Sequence, residues 1–154
     1  MQVVSGIVID GKVVVEGLSL PEGTAVTVLA RGDEAVVKLS PEELQQVKNE
    51  AQSVQCVSNL KQIGLAARIW ANDHQNVFPP DFISMKDELG SPRILFCPAD
   101  AAAIPVAEWS QLNPSAISYR FLNPNGNESD PTKLLATCPI HGHVCLSDGS
   151  VQRR

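Results

Sequence analysis

Between Pro41 and Pro79 the chain contains no proline, and Gly64 is its only glycine there. That uninterrupted run constrains the fold more than any other feature. Its start is well marked. Ser40 is a good N-cap, Pro41 suits the first helical position, and Glu43 stands three residues after Ser40, as a capping box requires. The spacing predicts one helix from 41 to about Asn72. At 1.5 Å per residue that is roughly 45 Å, long for a small globular chain. Gly64 should cost it about 1 kcal/mol relative to alanine.

The two halves of this helix differ. "PEELQQVKNEAQSVQ" is polar, with a thin apolar stripe through Leu44, Val47, Ala51 and Val54. "LKQIGLAARIWA" carries Leu60, Ile63, Leu65, Ala66, Ala67, Ile69 and Trp70, which point almost all round the axis. A helix apolar all round is a buried one. The second half is therefore expected under a sheet, and the first half is expected to project.

Residues 1–39 read as a small β-unit of about four short strands, with turns at Asp10-Gly11, "LPEG" and Gly32-Asp33. Thirty-nine residues bury little core alone, so the unit is expected to dimerise or dock. Ile7, Ile9, Val13, Val15, Val26 and Val28 recur at strand spacing and are the candidate dimerisation residues. After the helix the chain becomes rich in turns. Short strands are expected at 93–97 in "RILFCPAD", at 116–123 in "AISYRFLN", in "KLLATC", and in "HVCLSDGSVQ", which turns at Asp148-Gly149. Residues 84–89 are expected to form a helical turn. The fold class is thus α+β: a β-hairpin module (1–39), then one long helix and a small antiparallel sheet (40–154).

The net charge of −5 argues against a generally basic nucleic-acid surface. Within 1–39, Lys12, Arg31 and Lys38 face Asp10, Glu16, Glu22, Asp33 and Glu34, a net −2 where phosphate contacts need the opposite sign. Asp10, Lys12 and Glu16 break the N-terminus as a signal peptide, and no run approaches the roughly 18 apolar residues of a membrane helix. No membrane insertion and a cytoplasmic location, with reduced thiols, are the expectation.

The stretch "CVSNLKQIGLAARIWANDHQNVFPPDF" (56–82), followed by "LFCPAD", "SYRFLN" and "CPIHGHVCLSDGSV", resembles the heads of type II secretion pseudopilin-like and type IV pilin-like proteins. The resemblance covers 56–152. It implies a long helix packed on a small antiparallel sheet, a structural, non-enzymatic scaffold, and the cell envelope as location. In those families the first half of the helix is an apolar membrane span. Here the β-unit and the polar "PEELQQVKNEAQ" stand in its place. "GIVIDGKVVVEGLSLPEGTAVTVLA" in turn resembles small antitoxin-like β-modules, which implies dimerisation and, as an alternative function, a regulator binding DNA or a toxin.

The densest chemistry lies in "CPIHGHVCLSDGS", where Cys138, His141, His143 and Cys145 are all transition-metal ligand types. Cys138 and His141 are spaced by two residues, as in a zinc knuckle. Cys97 and Cys138 each precede a proline at an expected strand end, so Cys97 can join either a metal set or a Cys97–Cys138 disulfide. Reduced structural thiols are the third reading. Where the pseudopilin-like pattern more usually has an apolar residue, this chain has Cys145. Cys56 falls on the helix and reads as a packed residue. Asn125, Asn127, Asp130 and Asp148 offer oxygens for calcium, though without an EF-hand's ligand order, and turn chemistry accounts for them equally. His74 stands where a helix C-terminus favours a partly protonated imidazole. Trp70 and Trp109 read as core aromatics. No serine, cysteine or carboxylate is fixed beside His141 and His143 by spacing, so no catalytic constellation emerges and no cofactor is required. Zinc and calcium are the alternatives on the metal side. The principal partner expected is a second copy of the chain, with a further protein partner in second place.

Overall fold

The structure, a computed structural model, describes residues 7–9, 12–14 and 40–153. The chain divides into two compact units, Met1–Lys38 and Leu39–Arg154. In the first, β1 (Ile7–Ile9) and β2 (Lys12–Val14) pair antiparallel on either side of Asp10-Gly11. Their register sets Ile7 against Val14 and Val13 against Val8, so Val13 does not pair with Ile7 or Ile9. Val15, Val26 and Val28, and the remaining strands expected in this unit, lie outside the described residues.

The second unit is α+β. Its helix α1 runs from Pro41 to Asp73. The capping box is present in full: the Glu43 N–H donates to Ser40 Oγ at 3.1 Å, and the Ser40 N–H donates to Glu43 Oε2 at 2.7 Å. His74 ends the helix by stacking on Trp70, with ring centroids 3.8 Å apart. A short helix α2 (Lys86–Leu89) follows, then four strands: β3 (Arg120–Phe121), β4 (Leu134–Thr137), β5 (Val144–Leu146) and β6 (Val151–Gln152). They form an antiparallel meander in the order β3-β4-β5-β6.

One face of α1 lies on this sheet. Cys56, Leu60, Ile63, Ala66, Ala67 and Ala71 are buried there with Phe78, Met85, Leu95 and Leu135. The first half of the helix projects, with Leu44 60 % and Val47 56 % exposed. The second half is not covered all round, however. Leu65 is 58 % and Ile69 45 % exposed, because the sheet has four short strands and reaches only one side of the cylinder.

Two expected strands take other forms. Residues 92–95 form a 3-10 helix, since Pro92 pre-sets the first turn and Ser91 Oγ accepts from the Arg93 N–H at 3.3 Å. In 116–123 only Arg120 and Phe121 are strand. The residues before them are drawn into a 3-10 turn, Pro114–Ala116, capped by Asn113.

Gly64 is required by closeness. A Cβ there would stand 2.7 Å from Cys145 Sγ and 3.1 Å from Gly149 Cα. Its lost helix propensity is the condition for seating α1 on the β5–β6 turn, where Gly149 adopts φ +82°. No helix among the described residues is long and apolar enough to cross a membrane.

Candidate metal centre

Two cysteine-proline corners are built the same way. At the end of β4 the chain passes through Cys138, Pro139, Ile140, His141 and Gly142 before β5 begins. The Cys138 N–H donates to the His143 carbonyl at 2.9 Å and the Gly142 N–H to the Cys138 carbonyl at 2.8 Å, which closes a tight loop. Gly142 takes φ +72°, where a side chain would be strained. Inside that loop the His141 N–H points at Cys138 Sγ, 3.5 Å away. In "CPAD", the Asp100 N–H donates to the Cys97 carbonyl at 3.0 Å, and the Ala99 backbone N–H bonds the Cys97 sulfur.

The corners meet over α1, which contributes Cys56. The ligand atoms of Cys56, Cys97, Cys138 and His141 all lie within 4.8 Å of one another. His141 Nδ1 is 3.3 Å from Cys97 Sγ and 3.8 Å from Cys138 Sγ. The three cysteines are buried and His141 is half-buried. Four ligand atoms converging from a helix, a loop and a strand end can hold a metal ion.

The electrostatics suit a cation. The Cys56 thiol hydrogen-bonds the Cys138 sulfur, which pushes Cys56 well up and pulls Cys138 well down. Backbone N–H groups of Ile140 and His141 also favour the Cys138 thiolate. Burial pushes Cys97 up to about 11. Burial likewise raises the Tyr119 phenol at the edge of the group. Asn59 Nδ2 donates to the Phe96 carbonyl at 3.1 Å and to the Tyr119 hydroxyl oxygen at 3.2 Å, tying α1 to the strand and loop that flank the cysteines.

The candidates named from sequence separate. Cys97, Cys138 and His141 come together, and Cys56, read as a packing residue, completes the group. Cys97 and Cys138, the disulfide candidates, are close, and all four cysteines are free thiols in this structure. His143 is not among the four. It stacks on His141, with centroids 5.2 Å apart and planes 6° off parallel, and its Nε2 lies 2.9 Å from Ser53 Oγ. Burial, then the nearby His141, lowers its pKa and favours the neutral ring. It braces the ligand loop. Cys145 is not among the four either. It does face α1, but further along, at Gly64, where its sulfur is sealed from the cluster by packing.

The oxygens considered for calcium serve turns. Asn127 accepts from the Ser129 N–H, Asp130 from Thr132, and Asp148 from the Ser150 N–H. Asp130 and Asp148 belong to no cluster of three or more His, Cys, Asp or Glu ligands among the described residues. Sequence reasoning missed Cys56 and Ser53. The available signal was that Cys56 shares the helical face of Leu60, Ile63 and Ala67, and therefore faces whatever the helix covers.

Among known proteins, no family model matches the chain, and neither a curated protein nor a solved structure matches it.

Proposed function

We propose that residues 39–154 form a structural head closed by one zinc ion, and that the chain acts as a non-enzymatic interaction protein assembling with copies of itself. The observation that carries the zinc reading is the convergence of three sulfurs and one imidazole nitrogen within 4.8 Å. In a tetrahedral site with Zn–S of about 2.3 Å and Zn–N of about 2.0 Å, sulfur and nitrogen stand roughly 3.5 Å apart. The two His141 distances, 3.3 and 3.8 Å, bracket that value. Soft thiolates select zinc over calcium or magnesium. A set of four protein ligands leaves no open position for substrate or water, which is the arrangement of structural sites and not of catalytic ones. Self-assembly is supported by the paired strands of the first unit and by the resemblance of residues 1–39 to small β-modules that dimerise.

The test is metal analysis of the full chain purified without chelator. About one zinc per chain is expected, falling to background in Cys138→Ser, while Cys145→Ser keeps its zinc. A native chain free of stoichiometric zinc, or one whose zinc survives Cys138→Ser, would overturn the reading.

A further inference from the structure

Helix α1 has two apolar faces, and only one is explained by the head. At about 100° per residue, the buried positions Cys56, Leu60, Ile63 and Ala67 fall in one arc. Leu44, Val47, Ala51, Val54, Leu65 and Ile69 fall in another, about 80° wide and roughly opposite. All six are exposed, Val54 at 53 % and Leu65 at 58 %. The second arc extends about 38 Å along the helix, past the projecting half and over the back of the head. This outer stripe is why the second half reads as apolar all round, although the sheet covers one side.

We propose that this stripe is the surface on which a second copy of the chain lies, its α1 parallel and in register. Charge selects the occupant and its direction. With Leu44 and Ala51 at a positions and Val47 and Val54 at d positions, Glu43 and Glu50 fall at g and Lys48 at e. In a parallel pair each g residue faces the partner's e residue five further on, so Glu43 meets the partner's Lys48, twice by symmetry. Glu43 uses Oε2 for its cap, so Oε1 is the oxygen left to accept from a lysine. In an antiparallel pair g faces g, and Glu43 would meet the partner's Glu50, which already pairs with Arg153 of its own chain at 2.7 Å, so only the parallel arrangement sets Glu43 against a lysine that makes no ion pair of its own among the described residues. Ser58 and Lys61 take the next a and d positions and Gln62 the next e, so polar residues interrupt the stripe between Val54 and Leu65. Polar residues in such a seam lower stability and hold the register.

The inference rests on the proposed function only in taking self-association as the protein's role, and it places that association on α1, independently of residues 1–38 and of zinc. The test uses the full chain. Sedimentation equilibrium compares the native protein with Val54→Glu/Leu65→Glu, whose positions are exposed and whose melting should be unchanged. Introducing charge on both copies should weaken the dimer by about a hundredfold. In parallel, Leu44→Cys and Ile69→Cys are treated separately with a short bismaleimide, the native chain serving as the reference for its own thiols. In-register parallel helices predict that each variant links to itself. A monomeric native chain overturns the proposal. So does a dimer that the double glutamate leaves intact, which would place association in residues 1–38. Failure of either cysteine variant to self-link overturns it as well, and this arm stands even if the glutamate variant does not fold.

Discussion

Two places where α1 meets the head use a cysteine, and they use it oppositely. At Cys56 the helix meets Cys97, Cys138 and His141, and backbone N–H groups turn toward the Cys138 sulfur. Eight residues on, about 12 Å along the axis, Gly64 meets Cys145, and burial pushes that thiol up to about 12. The first place favours a thiolate at Cys138 and can hold a cation. The second is dry and neutral, and its strength is close packing. The difference lies in the chain around each sulfur. A cysteine followed by proline at a corner has N–H groups two and three residues on that are free to point back. A cysteine in mid-strand has its neighbours' N–H groups tied into the ladder, as Cys145 does between Ala136 and Val151.

If the proposed zinc is bound, the comparison breaks most visibly when it is taken away. Chelation of the zinc-loaded chain, or Cys138→Ser, should lower the stability of the head by several kcal/mol, since zinc binding in structural sites is folding free energy of order 10 kcal/mol gross. Thermal melts with and without chelator check this. Unchanged melts would mean the corner is held by packing, like its neighbour. The same corner fixes a pH dependence. In the empty site the Cys56 and Cys97 thiols are pushed up, while Cys138 is pulled down. Zinc must displace thiol protons, so uptake at neutral pH should release protons and weaken as pH falls. Calorimetry in buffers of different ionisation enthalpy measures the number released. A value near zero would contradict the assignment of Cys56 and Cys97 as thiolate ligands.

A smaller effect belongs to the dry contact. Gly64→Ala should raise helix propensity, yet it sets a Cβ 2.7 Å from Cys145 Sγ. Overpacking of this kind costs about 1–3 kcal/mol, which outweighs the roughly 1 kcal/mol gained. Cys145→Ala removes the clashing sulfur, so the double variant should lose less than the two single losses added together. Strict additivity, measured by denaturant titration, would show that Gly149 Cα at 3.1 Å, and not Cys145, sets the limit.

How much of this was legible beforehand varied with how local the cause is. The capping box, the helix from Pro41 and the turn at Asp148-Gly149 depend on neighbours within a few residues, and each stands where the residues alone put it. The 3-10 helix at 92–95 was misread as a strand because "RILF" is apolar enough for either, and Ser91-Pro92 decided it. Gly64 was legible as a weakness but not as a necessity, since its reason is eighty-one residues away in Cys145. The cluster shows the same limit. The pairing of Cys97 and Cys138 could be anticipated from two similar corners. Cys56 could not, because nothing near it says which part of the head its helical face will meet. Cys145 was over-read for the converse reason: it is near His143 in sequence, but the strand seats it beside Gly64.

The smallest effect is the most direct reading of that contrast, and it is a count of thiols. In the native zinc-loaded chain, none of the four cysteines should react quickly with iodoacetamide, three because they are ligated and Cys145 because it is buried and fully protonated near neutral pH. Mild chelation, short of unfolding, should release Cys138 first, as the sulfur already held as thiolate. Cys56 and Cys97 should follow slowly, because their raised pKa values keep the thiolate fraction low. Cys145 should stay protected until the head itself unfolds, since no metal shields it and only packing against α1 covers it. Mass spectrometry of the alkylated chain reads the order residue by residue. Were Cys145 labelled together with Cys138, the contact at Gly64 would depend on the metal corner and the two regions would open as one. Labelling of Cys138 before chelation would instead remove it from the coordination set.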